Sequence, residues 1–240
     1  MWRISAMAWN SFARRDFLGA AAGAGGLLLF SGCKSASPQK MEGSSSGGSG
    51  VSPTEDLMQE HGLLNRQLLI YEECIHRLRS GGDFDPKPLA DSVALVEWFV
   101  HGYHEKLEED FIFPRFRAAG RQGDLVGVLL AQHEAGRCVT NEILELLAPP
   151  PEQSQEWRKE LSDKLRLFVR MYRPHEARED TVLYPLFRGM MTPGQMGAMA
   201  DEFESLGRQR FGQDGFPGLV ERTATIEMQL GIYDLRQFYP

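Results

Sequence analysis

The sequence predicts an all-α protein, and three observations carry that reading. From Ser52 onward apolar residues recur at intervals of three and four, start and stop signals are spaced at helical lengths, and no convincing period-two pattern interrupts them. A chain of 240 residues with 42% hydrophobic and 25% charged side chains can bury a core, which excludes wholesale disorder. Its formal net charge of −7 argues against a nucleic-acid partner, whose affinity would come from neutralised phosphates. Three cysteines cannot build a disulfide framework.

Ser52-Pro53-Thr54-Glu55 reads as a capping box with proline at the first helical position, so the first helix starts there and runs to Ser80, where Gly81-Gly82 stops it. Asp85-Pro86 starts a second helix with Val93, Val96, Val100, Tyr103 and Leu107 on one side, ending near Pro114. A third spans about Gly123 to Leu147, with Leu125, Leu129, Leu130 and Ile143 apolar, and Pro149-Pro150-Pro151 stops it. Ser154 caps a fourth that continues through Trp157, Leu161, Leu165 and Phe168 to about Leu183. Short connections make consecutive helices antiparallel neighbours, so an up-down-up-down four-helix bundle is expected over residues 52–190. Thr192-Pro193-Gly194-Gln195 opens a fifth helix to about Arg208, and Gly218 to Gly231 forms a sixth; this C-terminal extension, 191–240, is expected to pack across the bundle.

Nine of the 25 glycines fall in the first 50 residues, where the composition differs from the rest. Arg14 and Arg15 precede an apolar stretch from Phe17 to Phe30 that is too short and too rich in Gly and Ala for a comfortable membrane-spanning helix, so residues 1–33 read as a signal peptide. Ala13-Arg14-Arg15-Asp16-Phe17-Leu18 resembles a twin-arginine signal, whose machinery exports folded proteins. Phe30-Ser31-Gly32-Cys33 resembles a bacterial lipobox, in which the cysteine is lipid-modified; an uncleaved N-terminal anchor is the alternative. Either places the remainder at an extracytoplasmic membrane surface. Residues 34–51, with Ser44-Ser45-Ser46-Gly47-Gly48-Ser49-Gly50, then form a flexible linker with a reach of roughly 25 Å.

The six histidines are the informative residues. His61 lies among Leu57, Leu64 and Leu68 at helical offsets, His104 lies between Val100 and Leu107, His133 follows Leu129 and Leu130, and His175 follows Met171 and Tyr172. Each of the four bundle helices contributes one inward histidine, and in an up-down-up-down arrangement all four fall in one layer. Glu108 is four residues after His104 and Glu179 four after His175, so each pair shares a helix face about one turn apart. Six such groups in an apolar core would cost several kcal/mol for each uncompensated charge, and a metal offsets that cost. Nitrogen and oxygen donors without thiolate suit iron, with manganese less favoured, and six ligands are too many for one tetrahedral zinc, so two metals is the better count. The spacing also repeats: at an offset of 71, Glu108, Pro114, Phe116 and Arg117 fall on Glu179, Pro185, Phe187 and Arg188.

These pieces resemble the hemerythrin-like family, the HHE cation-binding domain. The matching segments are Leu57-Met58-Gln59-Glu60-His61, Phe99 to His104 with Glu108-Glu109 and Phe113-Pro114, Gln132-His133-Glu134, and His175 with Glu179-Asp180 and Tyr184-Pro185. The resemblance implies a four-helix bundle with two non-haem iron ions, Glu108 and Glu179 bridging them and His61, His104, His133 and His175 as terminal ligands. The oxygen carriers of that family use a further histidine where this chain has Arg137, and an aspartate where it has Asp180, which makes Asp180 a backup for Glu179. The symmetric set of four histidines and two glutamates looks like the branch linked to iron-centre repair, nitric oxide and peroxide chemistry. The expected ligand is therefore a small oxidant, either a diatomic such as oxygen or nitric oxide, or peroxide. A non-catalytic iron-binding or iron-delivering module, and a purely structural helical lipoprotein, are the alternatives.

Other candidates carry less. His101 could pair with Glu105 in its own HxxxE spacing, but its direction is about 60° off that of His104, which suggests a solvated or supporting role. His76 follows Glu73 in an ExxH spacing with no second copy. Pro174 either aims His175 or merely kinks its helix. Cys74 and Cys138 lie at mismatched levels and are not expected to pair. Tyr103 and Tyr172 are read as core residues that could reach a bound oxygen species. Phe111, Phe113, Phe116, Tyr184 and Phe187 are expected to close the bundle end against water.

Overall fold

The structure is a computed structural model that describes residues 51–148 and 152–238. The readings over residues 1–33, Cys33 among them, nearly all of the linker, and the proline triplet at 149–151 lie outside the described residues. Among the described residues the chain is all-helical with no strand, and no helix is long and apolar enough to cross a membrane.

Helix α1, Pro53–Ser80, begins with the capping box: Ser52 N donates to Glu55 Oε2 (3.0 Å) and Glu55 N donates to Ser52 Oγ (3.4 Å). It ends at Gly81, whose φ of 76° is the left-handed conformation that glycine reaches without steric cost. Helix α2 is an unbroken succession of Lys87–Leu95, a π-helical Val96–His104, Glu105–Leu107, a π-helical Glu108–Ile112 and Phe113–Ala118. Helix α3 spans Gly123–Leu147. Helix α4 runs Gln155–Arg178, then a π-helical Glu179–Leu183, then Tyr184–Met190. Helices α5, Pro193–Phe211, and α6, Gly215–Leu230, follow, with a 3-10 turn at Leu235–Phe238.

Two helices therefore outrun their expected ends, and the cause is local. Pro114 and Pro185 lack an amide proton, and their rings press on the carbonyl four residues back, which ordinarily breaks a helix. Here a widened turn precedes each one. Phe113 N bonds to Glu108 O and Tyr184 N to Glu179 O, five residues apart, so α2 passes Pro114 to reach Ala118 and α4 passes Pro185 to reach Met190. Both wide turns begin on a glutamate that sequence reasoning singled out, and they recur at the same offset of 71.

Helix α4 packs along α1 and α3, and α2 packs against both of them as well. Leu57, Leu64, Leu68, Val93, Leu165 and Phe168 lie fully inside, each contributing about 1.5–3 kcal/mol through its buried apolar surface. Helix α6 is fastened to this body by polar contacts. Arg66 donates to both oxygens of Glu227 (2.8 and 2.6 Å), Gln67 Nε2 donates to Thr223 Oγ1 (2.8 Å), and Ser92 Oγ donates to Gln67 Oε1 (2.7 Å). Hydrogen bonds to a charged group stabilise by about 1.5–3 kcal/mol, so the Arg66 fork leads this set. Tyr103 donates to Phe203 O of α5 (3.1 Å) and packs edge-on against Phe211, which makes it a packing residue between α2 and α5. Cys74 is buried, Cys138 is exposed, and both are free.

Candidate metal centre

The structure brings all six singled-out side chains into one buried cluster. His61, His104, Glu108, His133, His175 and Glu179 each retain at most 3% exposure, far less than solvated polar groups do. One oxygen or nitrogen from each of Glu108, His133, His175 and Glu179 lies within 4.8 Å of the others, and the same holds for His61, His104 and Glu108. Glu179 Oε2 sits 3.2 Å from His175 Nε2 and 3.4 Å from His61 Nε2; Glu108 Oε2 sits 3.4 Å from His133 Nε2 and 3.7 Å from His104 Nε2. The glutamates thus stand between a His61–His104 pair, with rings 4.7 Å apart, and a His133–His175 pair, with rings 4.9 Å apart.

Each imidazole is aimed by its other nitrogen, and the partners form a ring around the cluster. Glu60 of α1 accepts from His104 Nδ1 of α2 (2.7 Å), and Glu109 of α2 accepts from His133 Nδ1 of α3 (3.1 Å). Gln132 of α3 accepts from His175 Nδ1 of α4 (3.0 Å), and Asp180 of α4 accepts from His61 Nδ1 of α1 (2.7 Å). With the proton on Nδ1 alone, the form a metal ligand takes, each Nε2 would present its lone pair inward, toward carboxylate oxygens, where His133 Nε2 and His175 Nε2 also approach each other to 3.2 Å. Among the described residues Glu108 Oε2 and both oxygens of Glu179 receive no hydrogen bond. Lone pairs converging in an apolar interior are costly unless a cation joins them, and a histidine whose second nitrogen is held by an acceptor is the usual metal-binding arrangement. The residues present fit a metal.

Protons balance part of this charge in the chain alone. Burial opposes a charge on His133, but the carboxylates of Glu108 and Glu109 outweigh it and hold the ring up to about 10. Burial likewise opposes a charge on His61, and Asp180 and Glu179 overcome it and raise it well above its ordinary value. Burial pushes Glu179 up, but the neighbouring His175 and His61 pull it well below the carboxylate range. In the Glu60–His104 pair burial wins on both sides, raising Glu60 to about 8 and lowering His104 to about 4, so that pair is neutral and shares one proton.

Several residues stand elsewhere than expected. Asp180 holds the far side of His61, so it orients a histidine instead of substituting for Glu179. His101 is buried, which overturns the solvated alternative and leaves the supporting one: it bonds to Glu105 (2.9 Å) and Thr140 (2.9 Å), and Tyr172 donates to the same Glu105 oxygen (2.7 Å). Tyr172 reaches that glutamate because Gly136 has no Cβ, which would lie 2.0 Å from the phenol oxygen. Arg137 braces Glu105 (2.8 Å) and Glu109 from behind His133. His76 is exposed and belongs to none of the candidate donor groups among the described residues. Glu60, Glu109 and Gln132 had no assigned role, nor did the phenol of Tyr184, which donates to Glu108 Oε1 (2.7 Å). One signal was present: each outer partner is the immediate sequence neighbour of an inner donor, although it serves the next helix.

The comparisons agree with this chemistry. The model of the hemerythrin HHE cation-binding domain matches residues 52–187, and the chain belongs to that family, a class of metal-binding helical proteins. It is also similar to uncharacterized proteins of Mycobacterium bovis and Mycobacterium tuberculosis, each 38% identical over 231 residues, covering 95% of this chain and 91% of the relative. That coverage extends past residue 187 into α5 and α6. No solved structure matches the chain.

Proposed function

We propose that the chain is a di-iron protein that binds or reacts with a small oxidant, namely oxygen, nitric oxide or peroxide. His61, His104, Glu108, His133, His175 and Glu179 would hold the two ions. The observation that carries this is the set of four inward-facing Nε2 atoms around two fully buried carboxylates whose inner oxygens lack donors. Iron there would supply a redox change and coordination positions open to a small ligand. The chain's own residues orient the donors, through Glu60, Glu109, Gln132 and Asp180, and exclude water, through Phe113, Phe116, Tyr184 and Phe187, all fully buried. The ring of contacts among α1, α2, α3 and α4 supports an antiparallel up-down-up-down bundle over residues 52–190, with 191–240 as an added helical extension. The features of residues 1–33 and 34–51 support export and tethering at a membrane surface, through a lipidated Cys33 or an uncleaved anchor.

Burial of every proposed donor favours retention of the ions over ready delivery to another protein. Purified full-length chain reconstituted with ferrous iron is expected to hold about two ions and, on exposure to air, to develop near-ultraviolet absorption that the ferrous form lacks. Uptake near zero overturns the proposal.

A further inference from the structure

The internal repeat extends to the rings that cover the cluster, and there it breaks. Phe113 stacks on His133 (5.5 Å between centroids, 28° between planes) as Tyr184 stacks on His61 (5.6 Å, 18°). Phe113 and Tyr184 are repeat mates at the offset of 71, as are Glu108 and Glu179. Only Tyr184 carries a hydroxyl. It is fully buried, donates to Glu108 Oε1 at 2.7 Å and lies 3.5 Å from His61 Nε2. No hydroxyl donates to either oxygen of Glu179 among the described residues; its Oε2 is approached by His175 Nε2 and His61 Nε2. Glu108 therefore keeps one oxygen free of a hydroxyl donor, whereas Glu179 keeps two.

We propose that Tyr184 makes the two halves of the centre inequivalent, so that the chain takes up its two metal ions with unequal affinity. The first enters among Glu108, His133, His175 and Glu179, where four donors converge. The second enters at His61 and His104, where the phenol already occupies the remaining oxygen of Glu108. The inference rests on the di-metal reading above. A donor on that oxygen removes a coordination site and draws away negative charge; a hydrogen bond to a charged group is strong enough to shift an affinity by about tenfold or more.

The test is anaerobic calorimetric titration of the purified full-length chain with ferrous iron. The unmodified chain is expected to show two separate steps. Tyr184→Phe frees Glu108 Oε1, so its second ion should bind at least about tenfold more tightly and the steps should merge. Its ferrous Mössbauer spectrum should correspondingly simplify from two signals toward one, a change that a packing role for the ring would not produce. Should circular dichroism show that Tyr184→Phe does not fold, Phe113→Tyr serves instead: a phenol beside Glu179 is expected to weaken the first ion about tenfold and bring the steps together. Two ions taken up in a single step by the unmodified chain, or steps unchanged in a folded variant, overturn the inference while leaving the di-metal reading intact. Absence of uptake by the unmodified chain overturns both.

Discussion

The two halves of the cluster come from one repeated design and differ in what surrounds it. Both halves offer two imidazoles whose Nε2 atoms face the shared glutamates, and both glutamates start a wide turn that ends before a proline. Outside that inner set the repeat lapses. His61 and His104 are held by two ionisable carboxyl groups, Asp180 and Glu60, whereas His133 is held by Glu109 and His175 by the neutral amide of Gln132. Tyr184 caps one half and Phe113 the other. Arg137 stands behind the His133 side, pinning Glu105 and Glu109. Groups that must meet one centre are constrained in type and spacing, while groups that only aim them need an acceptor of some kind within reach.

The largest expected effect strikes both halves together. Glu179 lies beside His61 and His175 at once, so Glu179→Ala is expected to reduce ferrous uptake from about two ions to one or fewer, measured by metal analysis after desalting. Undiminished uptake would remove Glu179 from the proposed ligands. A smaller effect separates the halves. Glu60→Gln replaces an ionisable carboxyl group behind His104, one that can release its proton when a cation binds, and is expected to weaken the ion on that side by about 10- to 100-fold. Gln132→Ala removes only a neutral acceptor behind His175 and is expected to cost the other side about tenfold or less. Equal losses would mean that an ionisable outer partner does no more for its histidine than a neutral amide does.

The smallest difference concerns pH, because each half has one histidine that its carboxylates keep charged, His61 and His133. His133 is raised to about 10, so its contribution to the stability of the metal-free chain is complete below an unfolded value of about 6.5 and disappears as pH rises through about 10. A metal ion must displace that proton. Affinity should therefore rise from pH 6 to pH 8, by about tenfold per unit for each proton released. Calorimetry in two buffers of different ionisation enthalpy checks this, with about one proton released per ion in each half. No proton release would contradict the electrostatics of the cluster.

Much of the candidate site was legible because its demands are local and periodic. An imidazole on a buried helical stripe and a glutamate four residues later can be read from spacing alone, and so could the helix starts at Ser52, Ser154 and Thr192, each confirmed by a side chain that accepts from the first turn. The ends of α2 and α4 were misjudged because Pro114 and Pro185 are ordinary helix stops unless a wide turn precedes them. Asp180 was misassigned because its sequence neighbour is a proposed ligand, whereas its partner, His61, lies 119 residues away.

The sequence by itself determined the helical class, the layer of four histidines and the two glutamates, since these follow from periods of three and four along single helices. Only the tertiary structure decided which acceptor holds which imidazole, that His101 is buried against Thr140 and Glu105, and that Tyr184 donates to Glu108. Those pairings join different helices or depend on how a helix is rotated against its neighbours. The rotation is set by packing of the whole core, which no local spacing records.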